Sequence, residues 1–334
     1  MAVPQRTLTL LRRLARSNGA TVDATVQALT RSWLAAWEDL SPAWQQAIDA
    51  LLEQYERTGV WPSPWQVARI EAIAAVQQRT DRALTGLVGK ADTATRRAVA
   101  EVSAATVQAE PDIIASQKPG LKVRAADRQA VVSELSARRW RITNLHRAVL
   151  DAASSAIRRP LLRPPLATQP TAAALTGQVR AGFDSALVRA TTIAQTETVD
   201  TYRAASALVH DANRGVLDAW AWHCACDRRS CTACWAMHGR QFPLEVIGPD
   251  GHPACRCTRL PLAAGVNLPS AEARFRRLPR RDQLAILGPA RLELFRSGRI
   301  GWADLAVQRN NPGWRTSWTP ASVADLRRAA DLAR

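Results

Sequence analysis

Apolar positions in the first half of the chain recur at helical spacing. Between Thr21 and Leu40, the side chains of Val22, Val26, Leu29, Trp33 and Trp37 fall on one helix face, a stripe suited to burial. Ser41-Pro42 then offers a capping residue followed by a first-turn proline, which predicts a second helix to about Thr58, ended by Gly59. Ser63-Pro64 repeats that signal ahead of a helix to about Val88, and Asp92 to Glu110 forms another, stopped by Pro111. Past the turn at Lys118-Pro119-Gly120, Asp127 to Arg158 reads as helical with a break near Trp140. Met1 to Arg16 mixes four arginines with scattered leucines. It predicts a basic amphipathic helix and lacks the continuous apolar block of a signal peptide.

The pattern changes after Arg159. Pro160, Pro164, Pro165 and Pro170 preclude a continuous helix and predict a linker over 160–170. Two helices come after it, Thr171 to Val179 and Phe183 to Ala212, and Gly215 ends them. Val216 to Trp222 is β-branched and aromatic and predicts a strand, as does Thr258 to Ala263. Between them, Pro243 and Gly248-Pro249 suggest a hairpin over Arg240 to Pro249. Short helices come next, punctuated by Pro279, Gly288-Pro289, Gly298 and Gly301, and a last one runs from Thr319-Pro320 to Leu332. The expected fold is mainly α with a small α+β module near the C-terminus. The expected segments are a helical region 1–159, the linker 160–170, a cysteine-bearing module 171–265 and a basic helical tail 266–334.

At 334 residues and 47% apolar content, the chain has material for two or three cores. No uninterrupted apolar run reaches about 18 residues, so no transmembrane helix is expected, and the reading is of a soluble protein made in the cytoplasm. The formal charge is +16, and Lys90, Lys118 and Lys122 are the only lysines among 45 basic residues. Arginine's planar fork suits phosphates and carboxylates, which points toward DNA or an acidic protein surface. A high-GC genome produces the same arginine bias without any such cause. From Thr258 onward, fourteen arginines face six acidic residues. Within that stretch Arg276, Arg277, Arg280 and Arg281 are the candidate contacts for nucleic acid.

All six cysteines lie between positions 224 and 257. A disulfide-stapled secreted protein spreads its cysteines, whereas local crowding favours a metal. The spacing is Cys224-x-Cys226-x4-Cys231-x2-Cys234-x17-His252-x2-Cys255-x-Cys257. A C-x2-C turn presents two thiolates from one side, and the His252-Pro253-Ala254-Cys255 arm closes from the other, as tetrahedral zinc requires. Cys231, Cys234, His252, Cys255 and Cys257 are the first choice of ligands, with Cys224 and Cys226 second. Seven donors can fill one site with spares, or two sites if His223 or His238 joins. His146 and His210 read as ordinary helix residues. Glu197, Glu245 and Asp250 are the nearest candidates for a general base, but a cysteine-saturated site argues for a structural ion and against an enzyme. The H-x-E signature of zinc deaminases is absent, and no thioredoxin-like strand–helix context surrounds Cys231 to Cys234.

The run Asp227-Arg228-Arg229-Ser230-Cys231-Thr232-Ala233-Cys234, with His238-Gly239 after it and then His252-Pro253-Ala254-Cys255-Arg256-Cys257, resembles the C-terminal motif of Mu F-like phage head morphogenesis (minor capsid) proteins. Ile193 to Thr198 resembles that family's lead-in, and Leu278 to Leu305 resembles the segment C-terminal to its motif. The likeness spans about residues 185 to 310. Cys224-Ala225-Cys226 is extra to the usual pattern. The resemblance implies a minor protein of a tailed-phage head, present in multiple copies and associated with portal, scaffold or major capsid protein. It implies residence in the virion; a structural Zn2+ is expected from the cysteine spacing, and non-specific contact with packaged DNA is compatible with the basic tail. The alternative class is a zinc-dependent nucleic-acid-binding protein or nucleic-acid enzyme.

Overall fold

A computed structural model describes residues 1–125, 147–162, 171–310 and 316–332. The expected break near Trp140, together with His146, Pro164, Pro165 and Pro170, lies outside those residues. In chain order the elements are α1 (Gln5–Thr58), α2 (Pro64–Val67), α3 (Glu71–Ala115), α4 (147–162), α5 (Ala172–Ala212), β1 (Leu217–His223), α6 (Thr232–Met237), β2 (Gln241–Phe242) and β3 (Thr258–Ala263). Then come α7 (Glu272–Arg276), α8 (Arg280–Leu287), α9 (Pro289–Arg296), a single 3₁₀ turn, β4 (Ala306–Arg309), β5 (Ser317–Pro320) and α10 (Val323–Leu332). The fold is mainly α, with two small antiparallel sheets in the C-terminal region.

Helix boundaries read from proline are the main correction. Pro42 and Pro111 lie inside α1 and α3, and Pro160 lies within α4. An interior proline forfeits one backbone hydrogen bond and costs about 3 kcal/mol. Around Pro42 the fully buried Leu40, Trp44, Ala47 and Ile48 continue the stripe on the same face. Burying one large apolar side chain contributes about 1.5–3 kcal/mol, so packing outweighs the lost bond. Ile113 and Ile114 do the same beyond Pro111. The expected helices over 171–179 and 183–212 likewise merge into α5. Ser63-Pro64 does start a helix, with a complete capping box between Ser63 and Gln66, but that helix lasts one turn.

The described chain forms two compact units, each assembled from separated stretches. One comprises Thr21–Ala98 and Ser136–Glu197. Its core joins Leu29, Trp33, Trp37 and Trp44 of α1 to Ile73, Val76 and Leu84 of α3, Val149 and Ile157 of α4, and Val179 and Phe183 of α5. Trp44 Nε1 donates to Thr80 Oγ1 at 3.0 Å, which satisfies a polar atom inside this core. Gly182 lets α5 pass close to α4, because a Cβ there would stand 2.9 Å from the backbone of Ala156 and Ile157.

The other unit comprises Met1–Ala20, Val99–Leu135 and Thr198–Arg334. At its centre β1 pairs antiparallel with β2 on one side (Trp220 opposite Phe242) and with β3 on the other (Ala221 opposite Leu260). Side chains alternate faces along a strand. Leu217, Ala221, Leu260 and Leu262 therefore join a core with Leu11, Leu14, Val102, Ile113 and Val209. Trp220 and Trp222 point the other way, into a core with Trp235, Phe275, Leu292, Phe295 and Trp302. Both faces of the sheet are covered, and every residue of β3 is buried. The expected hairpin over 240–249 is absent: only Gln241–Phe242 is strand, and its partner is β1.

Candidate metal centre

The cysteines gather where β1 ends. Beyond His223 the chain turns through Cys224 to Cys226, the latter in left-handed backbone with φ 52°. Cys224 N–H donates to His238 Nδ1 at 3.0 Å, and Cys226 N–H donates to Cys224 Sγ at 3.2 Å. Asp227 then closes the loop, receiving Ser230 Oγ at 2.9 Å and Arg229 N at 3.0 Å and pairing with both terminal nitrogens of Arg256. The C-x2-C pair sits on a helix and not on a bare turn. Cys231 caps α6, and Cys234 stands in its first turn. Thr232 Oγ1 donates to the Ile286 carbonyl at 2.7 Å and ties α6 to α8. The second arm turns at Ala254, another left-handed residue (φ 58°), and Cys255 N–H donates to His252 O at 3.0 Å. Left-handed backbone at a residue with a Cβ costs about 1–3 kcal/mol and persists where its surroundings dictate it.

These turns bring the sequence-predicted ligands together. Cys231 Sγ stands 3.5 Å from Cys234 Sγ and 3.2 Å from His252 Nε2, Cys234 Sγ stands 3.5 Å from that nitrogen, and Cys255 Sγ is 3.7 Å from Cys234 Sγ. In a tetrahedron with Zn–S about 2.3 Å and Zn–N about 2.0 Å, the edges are about 3.8 Å between sulfurs and about 3.5 Å from sulfur to nitrogen. The spacing within Cys231, Cys234 and His252 thus suits one small divalent ion. Two overlapping triads can hold a metal, Cys231–Cys234–His252 and Cys234–Cys255–Cys257. Cys224 lines the same small cavity as Cys234, His252, Cys255 and Cys257, with a volume of ≈ 20 Å³, enough for ions but not for an organic substrate.

Electrostatics favour deprotonated sulfur at Cys231 and Cys255, whereas the neighbouring sulfurs and burial push Cys226 and Cys234 up, and burial and the neighbouring sulfurs push Cys257 up. Hydrogen bonding with Cys234 lowers Cys231 to about 5, against burial and with help from His252. The Cys231 sulfur in turn raises His252 to about 9, against its partial burial. A thiolate next to an imidazolium is a site whose proton a metal ion displaces. Hydrogen bonds from Cys234 and Cys257, aided by the Arg203 charge, hold Cys255 well below the usual thiol range.

Sequence reasoning missed the support behind the second arm. Arg203 of α5 is 4% exposed, and it donates from Nε to the Cys257 carbonyl and from Nη2 to the Cys255 carbonyl, both at 2.9 Å. Nη1 pairs with Asp200 at 2.7 Å. Burial works against the charge on Arg203, but Cys255 and Asp200 outweigh it and the guanidinium stays protonated. The residues around Arg203 carry no signal for this, because the contact joins positions far apart in sequence. His210, read as an ordinary helix residue, is fully buried against Glu110 at 3.2 Å, and Ser206 donates to the same carboxylate at 2.6 Å. His223 and His238 stand outside both triads. Their rings lie 5.5 Å apart, and His238 Nδ1 is taken by Cys224 N–H. Glu245 is exposed and pairs with Arg214.

The segment after β3 completes the module. Phe275 packs against Trp235 of α6 and against Phe295 and Trp302, with ring centroids 6.2, 5.9 and 4.9 Å apart. Trp318 N–H donates to the Asp250 carbonyl at 2.8 Å, which binds β5 to the loop carrying His252. The four candidate arginines, Arg276, Arg277, Arg280 and Arg281, are exposed, and Arg276 pairs with Glu272 at 2.7 Å.

Residues 170–260 match the family described as Phage Mu protein F like protein. The match runs from α5 through β1 and both ligand-bearing arms into β3. No curated protein and no solved structure matches the chain. The Mu F-like segment points to phage head morphogenesis, a structural role, and to the virion. Among the described residues no helix is long and apolar enough to cross a membrane.

Proposed function

We propose that the chain is a minor capsid protein of a tailed-phage head, acting with the portal during head assembly, and that its Mu F-like module is held together by zinc. The observation that carries this reading is the coincidence of the family match with a buried Cys/His cluster whose spacing fits a tetrahedral ion. Zinc is the ion of choice because thiolate and imidazole donors suit it and a saturated site needs no redox chemistry. The role is scaffolding: cysteines from two loops and α6 are drawn to one point, and the aromatic core closes over them.

Portal, scaffold or major capsid protein are the proposed partners, and packaged DNA is a further one. The exposed Arg276, Arg277, Arg280 and Arg281 suit phosphate contact without base readout. The test is co-purification of the full chain with portal protein and its detection in procapsids and virions. Absence from both particles overturns the assembly reading. DNA contact is tested by binding to unrelated duplexes across a salt series. An affinity independent of salt, or unchanged when the four arginines become glutamine, removes DNA from the partners.

A further inference from the structure

We propose that the Cys/His cluster holds two ions and that the Cys234 thiolate bridges them. This rests on the zinc-module reading and deepens it. Two tetrahedral ions require eight ligand positions. Between Cys224 and Cys257 the chain carries six cysteines, His238 and His252; His238 stands outside both triads with its Nδ1 taken by Cys224 N–H, which leaves seven donors, so one serves both ions. The structure shows which: Cys234 is the one residue common to the two metal-binding triads.

The remaining donors sort around it. Cys231 and His252 lie 3.5 Å from Cys234 Sγ; Cys255, 3.7 Å from that sulfur and a member of the second triad, is assigned to the first ion as its fourth donor. On the other side, Cys257 shares the second triad with Cys234, and Cys224 lines the same cavity. Cys226 is folded back on Cys224 by its left-handed turn, with its N–H on the Cys224 sulfur. Cys224, Cys226, Cys234 and Cys257 make the second set. Both C-x-C segments thereby gain a purpose that a single ion leaves unexplained. A single ion would strand Cys224, Cys226 and Cys257, each no more than 4% exposed, around a site that has no use for them.

Charge supports the count. Six thiolates around two divalent ions leave two net negative charges, and guanidinium groups stand at the backbone of three of the ligands. Arg203 reaches the carbonyls of Cys255 and Cys257, and Arg274 Nη2 reaches the Cys226 carbonyl at 3.4 Å. Basic groups placed this way lower the cost of burying an anionic cluster.

The experiment is native mass spectrometry of the full chain purified with zinc, paired with elemental analysis and a cobalt titration followed by its visible absorption. Two ions per chain, and a cobalt end point at two equivalents, are the expected results. Cys226→Ser, which touches only the second set, is expected to reduce the count to one, whereas Cys234→Ser loses both ions. One ion in the native chain with Cys226→Ser unchanged overturns the bridged pair and leaves the zinc module standing. No ion in the native chain overturns both. If Cys234→Ser fails to fold, the native stoichiometry and Cys226→Ser still decide the matter.

Discussion

Arg203 Nε donates to the carbonyl of Cys257 at 2.9 Å across 54 residues of sequence, so a buried residue of α5 positions the last ligand of the site. Arg203→Lys keeps the charge and loses the fork that spans the Cys255 and Cys257 carbonyls. Each lost hydrogen bond to a charged group is worth about 1.5–3 kcal/mol, so a destabilisation of about 2–4 kcal/mol is expected. The midpoint of denaturant unfolding measures it, and weaker zinc retention under a chelator should accompany the shift. An unchanged midpoint would remove Arg203 from the support of the site.

Removing the metal should separate the two levels of structure. A chelator is expected to abolish the near-ultraviolet signal of Trp220, Trp222 and Trp235, which pack in the core that contains the ligands. Far-ultraviolet ellipticity should fall little, because α1, α3 and α5 carry most of the helix. Limited proteolysis should then cut within 224–257. Resistance to protease that survives chelation contradicts a structural ion.

Gly251 has no room for a methyl group. A Cβ there would stand 2.5 Å from Cys255 Sγ and 2.6 Å from its Cβ. Gly251→Ala is therefore expected to displace Cys255, destabilise the module by about 1–3 kcal/mol and reduce its zinc content. Thermal melting and elemental analysis read both effects, and a variant with native metal content refutes the crowding argument.

Acid sensitivity should come partly from His210. Burial lowers its pKa below 6.5, even though Glu110 favours the charged form and Arg259 opposes it. Below pH about 6.5 the unfolded chain takes up this proton and the folded chain resists it. Stability present above that pH is lost as pH falls, by up to about 1.4 kcal/mol per unit for one such group. In the native network Arg259 Nε donates to Nδ1, which leaves the proton on Nε2 toward Glu110. Melting temperature against pH should show this slope, and His210→Gln should flatten it between pH 6.5 and 5. An identical slope in the variant assigns it to other groups.

The local signals in the sequence are strong where chemistry or burial constrains a short stretch. The C-x2-C and H-x2-C-x-C groups identify the ligand cluster, and β-branched and aromatic runs locate β1 and β3 to within a residue. The signals that fail are punctuation. Pro42 and Pro111 look like helix starts or stops, but the stripes of Trp37, Leu40 and Trp44, and of Ile113 and Ile114, carry the helices through. β4 and β5 escape notice because four-residue strands that pair only with each other leave too short a period to read. The Arg203 contacts and the Glu110–His210–Arg259 network join stretches far apart in the chain, and no local pattern encodes such a meeting.

The first strand-like residues of the chain are sewn to a segment made much later. Val3 N–H donates to the Asn267 carbonyl at 3.0 Å, Ala2 bridges Asn267, and Thr7 meets Ser116 at 2.8 Å. During vectorial synthesis on a ribosome, Ala2 and Val3, just ahead of α1, must therefore wait for Asn267 to emerge before their partner exists. The cysteines emerge before that point and remain solvent-accessible thiols during the interval. Closure over so long a chain separation is slow. Capture of the metal and completion of this unit are accordingly late, coupled events, and a nascent chain stalled before residue 267 should present its six thiols to an alkylating reagent.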